Sequence, residues 1–179
     1  METLGSAKPR CRGSIPLRSS KMDKSIEDER LAETVKVVVG VIFDDARRSV
    51  LVGKRSKSKP FSGKWEMIGG KVEEGETLED AIEREAFEET GLGVVPLSLL
   101  GELKFEAEGS LFDVTFFECE IKHGGHGDII MDSKEHSKLK WINMKDLGNL
   151  DWVGQNGKFA KWLVEFNRIR QPISADPEK

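Results

Sequence analysis

Residues 70–92 read GKVEEGETLEDAIEREAFEETGL, and this stretch fixes a loop, a helix and a group of acids together. Thr77 precedes an apolar series at helical spacing, Leu78, Ala81, Ile82 and Ala86. Asp80 lies three residues beyond Thr77, a capping-box arrangement that starts a helix. Gly91 ends it, because glycine tolerates the positive φ that follows a last helical turn. On that helix Glu88 and Glu89 follow Glu85 by three and four residues, so the three carboxylates leave from one side. Like charges so placed cost an isolated helix about 0.2–0.5 kcal/mol per pair. A divalent cation among them offsets that cost, and oxygen-only ligands suit a hard ion such as Mg²⁺, with Mn²⁺ as a substitute. Arg84 reads as structural: it can pair with Glu88 one turn on, or with Glu76 in the preceding loop, and hold the other acids in place.

Charge outside this stretch runs the other way. The stretch holds nine acids against Lys71 and Arg84, while the whole chain of 179 residues is only −4. Such a balance argues against a general nucleic-acid binder, whose footprint is a clustered basic surface. An apolar content of 37% suits one domain with a sizeable core. No apolar run reaches the eighteen or more residues of a membrane span. Two cysteines, Cys11 and Cys119, make no disulfide framework, and a reducing, cytoplasmic setting is expected.

Three segments follow. Residues 1–30 read as a disordered extension, with Lys8, Arg10, Arg12, Arg18 and Lys21 set among serines; an organelle transit peptide is the alternative reading of residues 1–21. Residues 31–171 form the domain, and 172–179 a disordered tail after Pro172. Within the domain, the β-branched run Val35 to Phe43 is a buried strand, and Ser49 to Lys54 is expected to pair with it as a hairpin. Val94 to Glu106 and Leu111 to Ile121 read as two long strands joined at Glu108-Gly109-Ser110, Lys138 to Asn143 as a short one. Asn156 to Arg168 reads as an amphipathic helix with Phe159, Trp162, Leu163 and Phe166 on one face. The content is α+β. Of the histidines, His123 and His126 sit in a Gly-rich loop, and His136 reads as an ordinary loop histidine beside Glu135.

The spacing of Gly70, Glu76, Arg84-Glu85, Glu88-Glu89 and Gly91-Leu92 resembles the signature box of the Nudix hydrolases. From about Val35 to Glu165 the chain is similar to their MutT-like nucleoside triphosphate pyrophosphohydrolase branch, most clearly over RSKSKPFSGKWEMIGGK, Arg55 to Lys71. The usual proline of the Pro-Gly-Gly-Lys turn is replaced by Ile68, which bears on turn rigidity rather than on chemistry. The resemblance implies a Nudix-type α/β/α sandwich with a mixed central sheet. It also implies metal ligands among Glu85, Glu88, Glu89, the Gly69 carbonyl and Glu135, with Glu88, Glu89 and Glu135 as alternative general bases. Asn156 falls where relatives place a residue that hydrogen-bonds a purine, a task an amide suits because it both donates and accepts. A plain loop before the last helix is the other reading of that stretch. Trp152 either stacks on a base or fills the core, and Arg55 is a candidate phosphate contact because its fork matches phosphate oxygens.

The implied substrate is a small nucleotide, first a (deoxy)nucleoside triphosphate, oxidised guanine nucleotides included. ADP-ribose or a dinucleotide is the alternative, and a nucleotide-sensing module without turnover is the alternative of another class. Neither nucleic acid nor membrane is an expected partner, and the chain is read as a monomer or homodimer.

Overall fold

The computed structural model describes residues 34–122 and 129–170. The terminal segments 1–30 and 172–179, Cys11, His123 and His126 lie outside the described residues. Strand β1 (Thr34–Ile42) is followed by β2 (Ser49–Arg55), β3 (Trp65–Lys71) and helix α1 (Leu78–Thr90). Strands β4 (Val94–Ala107), β5 (Ser110–Ile121) and β6 (His136–Asn143) come next, then a 3₁₀ turn (Met144–Asn149) and helix α2 (Asn156–Arg170). No helix among the described residues is long and apolar enough to cross a membrane.

The six strands form one sheet in the order β4-β5-β1-β3-β2-β6. Among the described strands only β1 and β5 run parallel, Val37 opposite Val114 and Val41 opposite Glu118. The other pairings are antiparallel, so the sheet is mixed. Alternation along β1 divides the core in two, as the period of two in a strand requires. Val38 and Ile42 pack with Ile68, Leu51 and the α1 residues Ala81, Ile82 and Ala86 on one face. Val39, Val41 and Phe43 pack with Val50, Val52 and the α2 residues Phe159, Ala160 and Leu163 on the other. The result is the α/β/α sandwich. β1 reads as apolar throughout because both of its faces are covered.

Two local expectations need correction. β2 does not form the hairpin ladder with β1; Asp44 N–H donates to Ser49 O and Phe43 bridges Val50, and then the two strands part. β3 inserts between them, antiparallel to both. This is possible because Ile68-Gly69-Gly70-Lys71, read as a turn, is the second half of that strand. Gly69 adopts φ 149°, and a β-carbon there would lie 2.1 Å from the Val38 carbonyl oxygen, so only glycine lets β3 approach β1 this closely. The long hairpin turns at Glu108-Gly109, both at positive φ, as a two-residue connection of β4 and β5 requires.

Candidate active site

The acidic helix starts and stops where its sequence places the caps. Thr77 Oγ1 accepts the Asp80 N–H at 3.0 Å and donates to Asp80 Oδ2 at 2.7 Å. Gly91 takes the left-handed conformation, φ 71°, and its N–H donates to Phe87 O. The helix lays Ala81, Ile82 and Ala86 on the sheet, and the same side carries Glu89 inward, leaving it 7% exposed. Glu85 sits over Gly70, where a β-carbon would stand 2.3 Å from Glu85 Oε1. The glycine pair of β3 therefore serves two close contacts, one to β1 and one to the helix carboxylate.

Arg84 gathers this region into one ion network. Its Nε donates to Glu76 Oε1 at 2.6 Å, and its Nη1 donates to Glu85 at 2.9 Å and Glu88 at 3.1 Å. Its Nη2 donates to Glu76 Oε2 and to the Lys71 carbonyl, both at 3.0 Å. The Arg84 hydrogen bond holds the Glu76 carboxyl down at about 2, and the same contact pushes the guanidinium further toward its charged form. Glu76 also accepts the Glu73 N–H, which ties the loop before α1 to its middle turn.

The deeper acids behave in the opposite way. Burial raises Glu85 above the usual carboxylate range despite its bond to Arg84, and the charges of Glu88 and Glu135 add to the rise. Glu89 is raised well above that range by burial, with the Gly69 N–H at 3.1 Å offsetting part and Glu66, Glu85 and Glu135 adding to it. Carboxylates that share one field in this way favour a proton or a cation. An all-oxygen set of this kind fits a hard divalent ion better than a transition metal that seeks sulfur or imidazole. Among the described residues, no three acidic, His or Cys side chains converge around one point at ligand distance. Glu88 leans on Arg84, and Glu135 pairs with Lys59 at 2.5 Å.

Glu135 reaches this region because its loop is fastened at both ends. Asp132 N–H donates to Glu89 O, Ser56 N–H donates to Glu135 O, and Ser56 Oγ donates to Lys134 O at 2.7 Å. The loop thus spans from the end of α1 to the end of β2.

A cavity of about 470 Å³ opens on the α2 side of the sheet. Phe105, Phe112 and Phe116 line it from β4 and β5, Arg55 and Phe61 from the end of β2 and the loop beyond, and Asn156 from the start of α2. Phe105 and Phe112 stack at 5.3 Å. Asn156 Nδ2 donates to Val153 O at 3.2 Å, and its Oδ1 stands 3.5 Å from the Met67 N–H. Arg55 Nε donates to Pro60 O at 2.7 Å, and its Nη1 pairs with Glu66 Oε2 at 2.5 Å. Trp152, read as either a base contact or core, is in the core: it packs in the cluster on the α2 face, and its indole N–H donates to Leu147 O at 2.8 Å. It is therefore corrected from a substrate contact to a support for the loop that carries Asn156.

Two residues of this region hold places that the sequence reading does not assign them. Glu66 lies between Trp65 and Met67 in β3 and joins Arg55 to His136, whose Nε2 is 3.1 Å from Glu66 Oε1. His136 is not an exposed loop residue; it opens β6 and is fully buried. The available signals were a lone acid inside an apolar strand and a glycine, Gly53, directly after the run Val50-Leu51-Val52 within one strand. Cys119 is also buried, which pushes its thiol up to about 12 and leaves it inert near neutral pH.

The sequence profile of the NUDIX domain matches residues 34–163. The oxidized purine nucleoside triphosphate hydrolase of Mus musculus is 44% identical over 77 residues, 42% of this chain and 49% of that one. A Mycobacterium tuberculosis protein provisionally named 8-oxo-dGTP diphosphatase 2 is 30% identical over 140 residues, 78% of this chain and 93% of that one. The chain thus spans about half the length of the mouse relative and nearly all of the mycobacterial one. Among solved structures, a MutT protein of Methanosarcina mazei superposes with a TM-score of 0.65 at 24% identity, over 79% of this chain and 99% of that one.

Proposed function

This chain belongs to the Nudix family of hydrolases, and from that premise we propose that it cleaves (deoxy)nucleoside triphosphates, oxidised purine nucleotides included, to the monophosphate and pyrophosphate. One observation carries the reading: Arg55, on the wall of an aromatic cavity, pairs with Glu66, whose charge acts on the buried Glu89 of α1. A flat purine fits between aromatic walls, and in this reading its polyphosphate extends past Arg55 toward the acids of α1. The relatives named for oxidised purine nucleotides support the same substrate class.

In this reading Glu85, Glu88, Glu89, Glu135 and the Gly69 carbonyl hold Mg²⁺, or Mn²⁺ in its place. The bound ion supplies charge neutralisation at the phosphates and a more acidic water. Arg84 keeps Glu85 and Glu88 from drifting apart and so sets the ligands before substrate arrives. Glu89, whose affinity for a proton is raised in the fold, suits the acceptance of the proton from the attacking water. Glu88 and Glu135 are the other candidates for that role. Arg55 contacts the phosphates, and Asn156 presents a donor and an acceptor to the edge of the base. Positioning and charge supply most of the rate, because phosphoryl transfer asks little covalent chemistry of the protein.

A second reading has its own observation. The cavity adjoins another hollow of about 350 Å³ through the shared residues Leu103 and Phe116, and Trp162 lines that hollow. A dinucleotide or ADP-ribose has a second group that such a space accepts. Release of pyrophosphate or phosphate, with and without Mg²⁺, separates the two readings across a panel of dGTP, 8-oxo-dGTP, CTP, ADP-ribose and a dinucleoside polyphosphate. Turnover of a triphosphate supports the first reading. Turnover confined to ADP-ribose or the dinucleotide discards it.

A further inference from the structure

His136 is fully buried at the start of β6, and its Nδ1 has no hydrogen-bond partner among the described residues. A buried ring with an unpaired nitrogen is a costly way to fill space, and an aliphatic side chain would fill it without that cost. The fold nevertheless reserves the volume for it. At Gly53, on the neighbouring strand, a β-carbon would lie 2.2 Å from His136 Nε2 and 2.3 Å from Cδ2. Packing alone does not account for an imidazole at this place.

The contacts on the other side of the ring do. The tautomer with its proton on Nε2 donates to Glu66 Oε1 and leaves Nδ1 as a bare acceptor, which is cheaper to bury unpaired than a donor. The second oxygen of the same carboxylate accepts Arg55 Nη1, and Arg55 Nε is taken by the Pro60 carbonyl. Arg55 is thus gripped at two of its three nitrogens, while Nη2 makes no hydrogen bond to the described residues. The guanidinium lines the aromatic cavity together with Phe61, whose backbone at φ 60° is itself unusual for a residue other than glycine.

We propose that His136 is a positioning residue for substrate binding: through Glu66 it fixes the Arg55 guanidinium on the cavity wall, without touching the substrate itself. The proposal rests on the reading that this cavity takes the nucleotide. A glutamate carboxylate between two fixed donors has one orientation, whereas Glu66 held by Arg55 alone could turn with the guanidinium. Loss of the ring therefore loosens Arg55 and weakens binding while leaving the acids of α1 in place.

A double-mutant cycle tests this, with dGTP and ADP-ribose as substrates and melting temperature measured on each variant. His136→Leu is expected to raise KM about tenfold or more with kcat within about threefold, the pattern of lost binding rather than lost chemistry. In an Arg55→Ala background the same change is expected to alter KM less than about twofold, since the residue it acts through is gone. His136→Gln places an amide donor near the position of Nε2 and should recover KM to within about threefold of the parent, even if it melts as low as His136→Leu. A purely structural role would instead lower melting temperature with both substitutions and show no rescue of KM. Equal KM effects of His136→Leu with and without Arg55 overturn the proposal, as does a Gln variant with the Leu defect. If His136→Leu does not fold, Glu66→Gln takes its place in the cycle and is expected to give the same loss of coupling. If the parent enzyme turns over dGTP and ADP-ribose no better than the rest of the panel above, the cycle is run on whichever member it does turn over, and if it turns over none of them the substrate reading of the cavity fails. The cycle is then read on the Kd for inorganic triphosphate with Mg²⁺, and additive effects there overturn the relay itself.

Discussion

Replacing Gly53 with alanine is the sharpest small perturbation this fold offers. Gly53 has ordinary strand backbone, so alanine meets no torsional objection there. Its methyl group, however, would fall 2.2 Å from His136 Nε2, 2.3 Å from Cδ2 and 2.8 Å from Cε1. Comfortable contact between such atoms needs about 3.5–4.0 Å, so the ring has to retreat by about 1.5 Å. The obstacle is the ring itself and not the end of a flexible chain, and His136 has no route to solvent while β6 stays paired with β2. Overpacking of this kind costs about 1–3 kcal/mol. Breaking the bond to the Glu66 carboxylate adds about 1.5–3 kcal/mol, and the stiffer unfolded chain returns about 0.4–1 kcal/mol. The net expectation is about 2–5 kcal/mol, or a Tm lower by about 5–15 °C for a domain of this size. Thermal and urea unfolding of Gly53→Ala measure it. The control is the same change in a His136→Ala background, where the space is free and the effect should shrink to within about 0.5 kcal/mol of zero. An equal loss in both backgrounds would refute the reasoning, because the demand for glycine would then come from the strand and not from the ring.

Three further outcomes follow from the acid site. Glu89 has a higher proton affinity in the fold than in the unfolded chain, so its contribution to metal-free stability is present at low pH and is lost as pH rises through the folded value. Urea unfolding in EDTA between about pH 5 and pH 8 should show this decline, and Glu89→Gln should flatten it; an unchanged slope counts against the burial of a titrating carboxyl. Gly70→Ala sets a methyl 2.3 Å from Glu85 Oε1 and should lower turnover about 10–100-fold, with partial recovery at raised Mg²⁺, read from rate against metal concentration. Arg84→Lys removes the fork that spans Glu76, Glu85 and Glu88, and calorimetry should find Mg²⁺ bound about tenfold more weakly.

The parts of the fold that are legible in the sequence are those fixed by neighbours along the chain. The caps of α1, its inward face and the hairpin at Glu108-Gly109 all depend on residues within a few positions of one another. The order of strands does not. Nothing in the run Val50-Leu51-Val52 tells that β3 will slip between it and β1, because that depends on two glycines after Met67 and on the surface they meet. His136 is the same case on a smaller scale. Its neighbours, from Ser133 to Ser137, are all polar and read as a loop, whereas its burial is decided by Gly53 and Glu66 far upstream. At the cavity, the position of Asn156 was legible from the start of an amphipathic helix. The aromatic walls were not, because Phe105 and Phe112 also fit a plain alternating strand.

The place of β1 at the centre of the sheet has a consequence for synthesis. Both of its partners lie downstream, so an apolar strand leaves the ribosome with neither edge covered. β3 arrives first and covers one edge, but β5 follows the end of β1 by about 75 residues, a delay of roughly 4–15 s at ordinary elongation rates. For that interval a row of unpaired valine backbone faces solvent or a chaperone. The yield of folded protein should therefore depend on how quickly the stretch between α1 and Cys119 is translated, more than on changes anywhere after it.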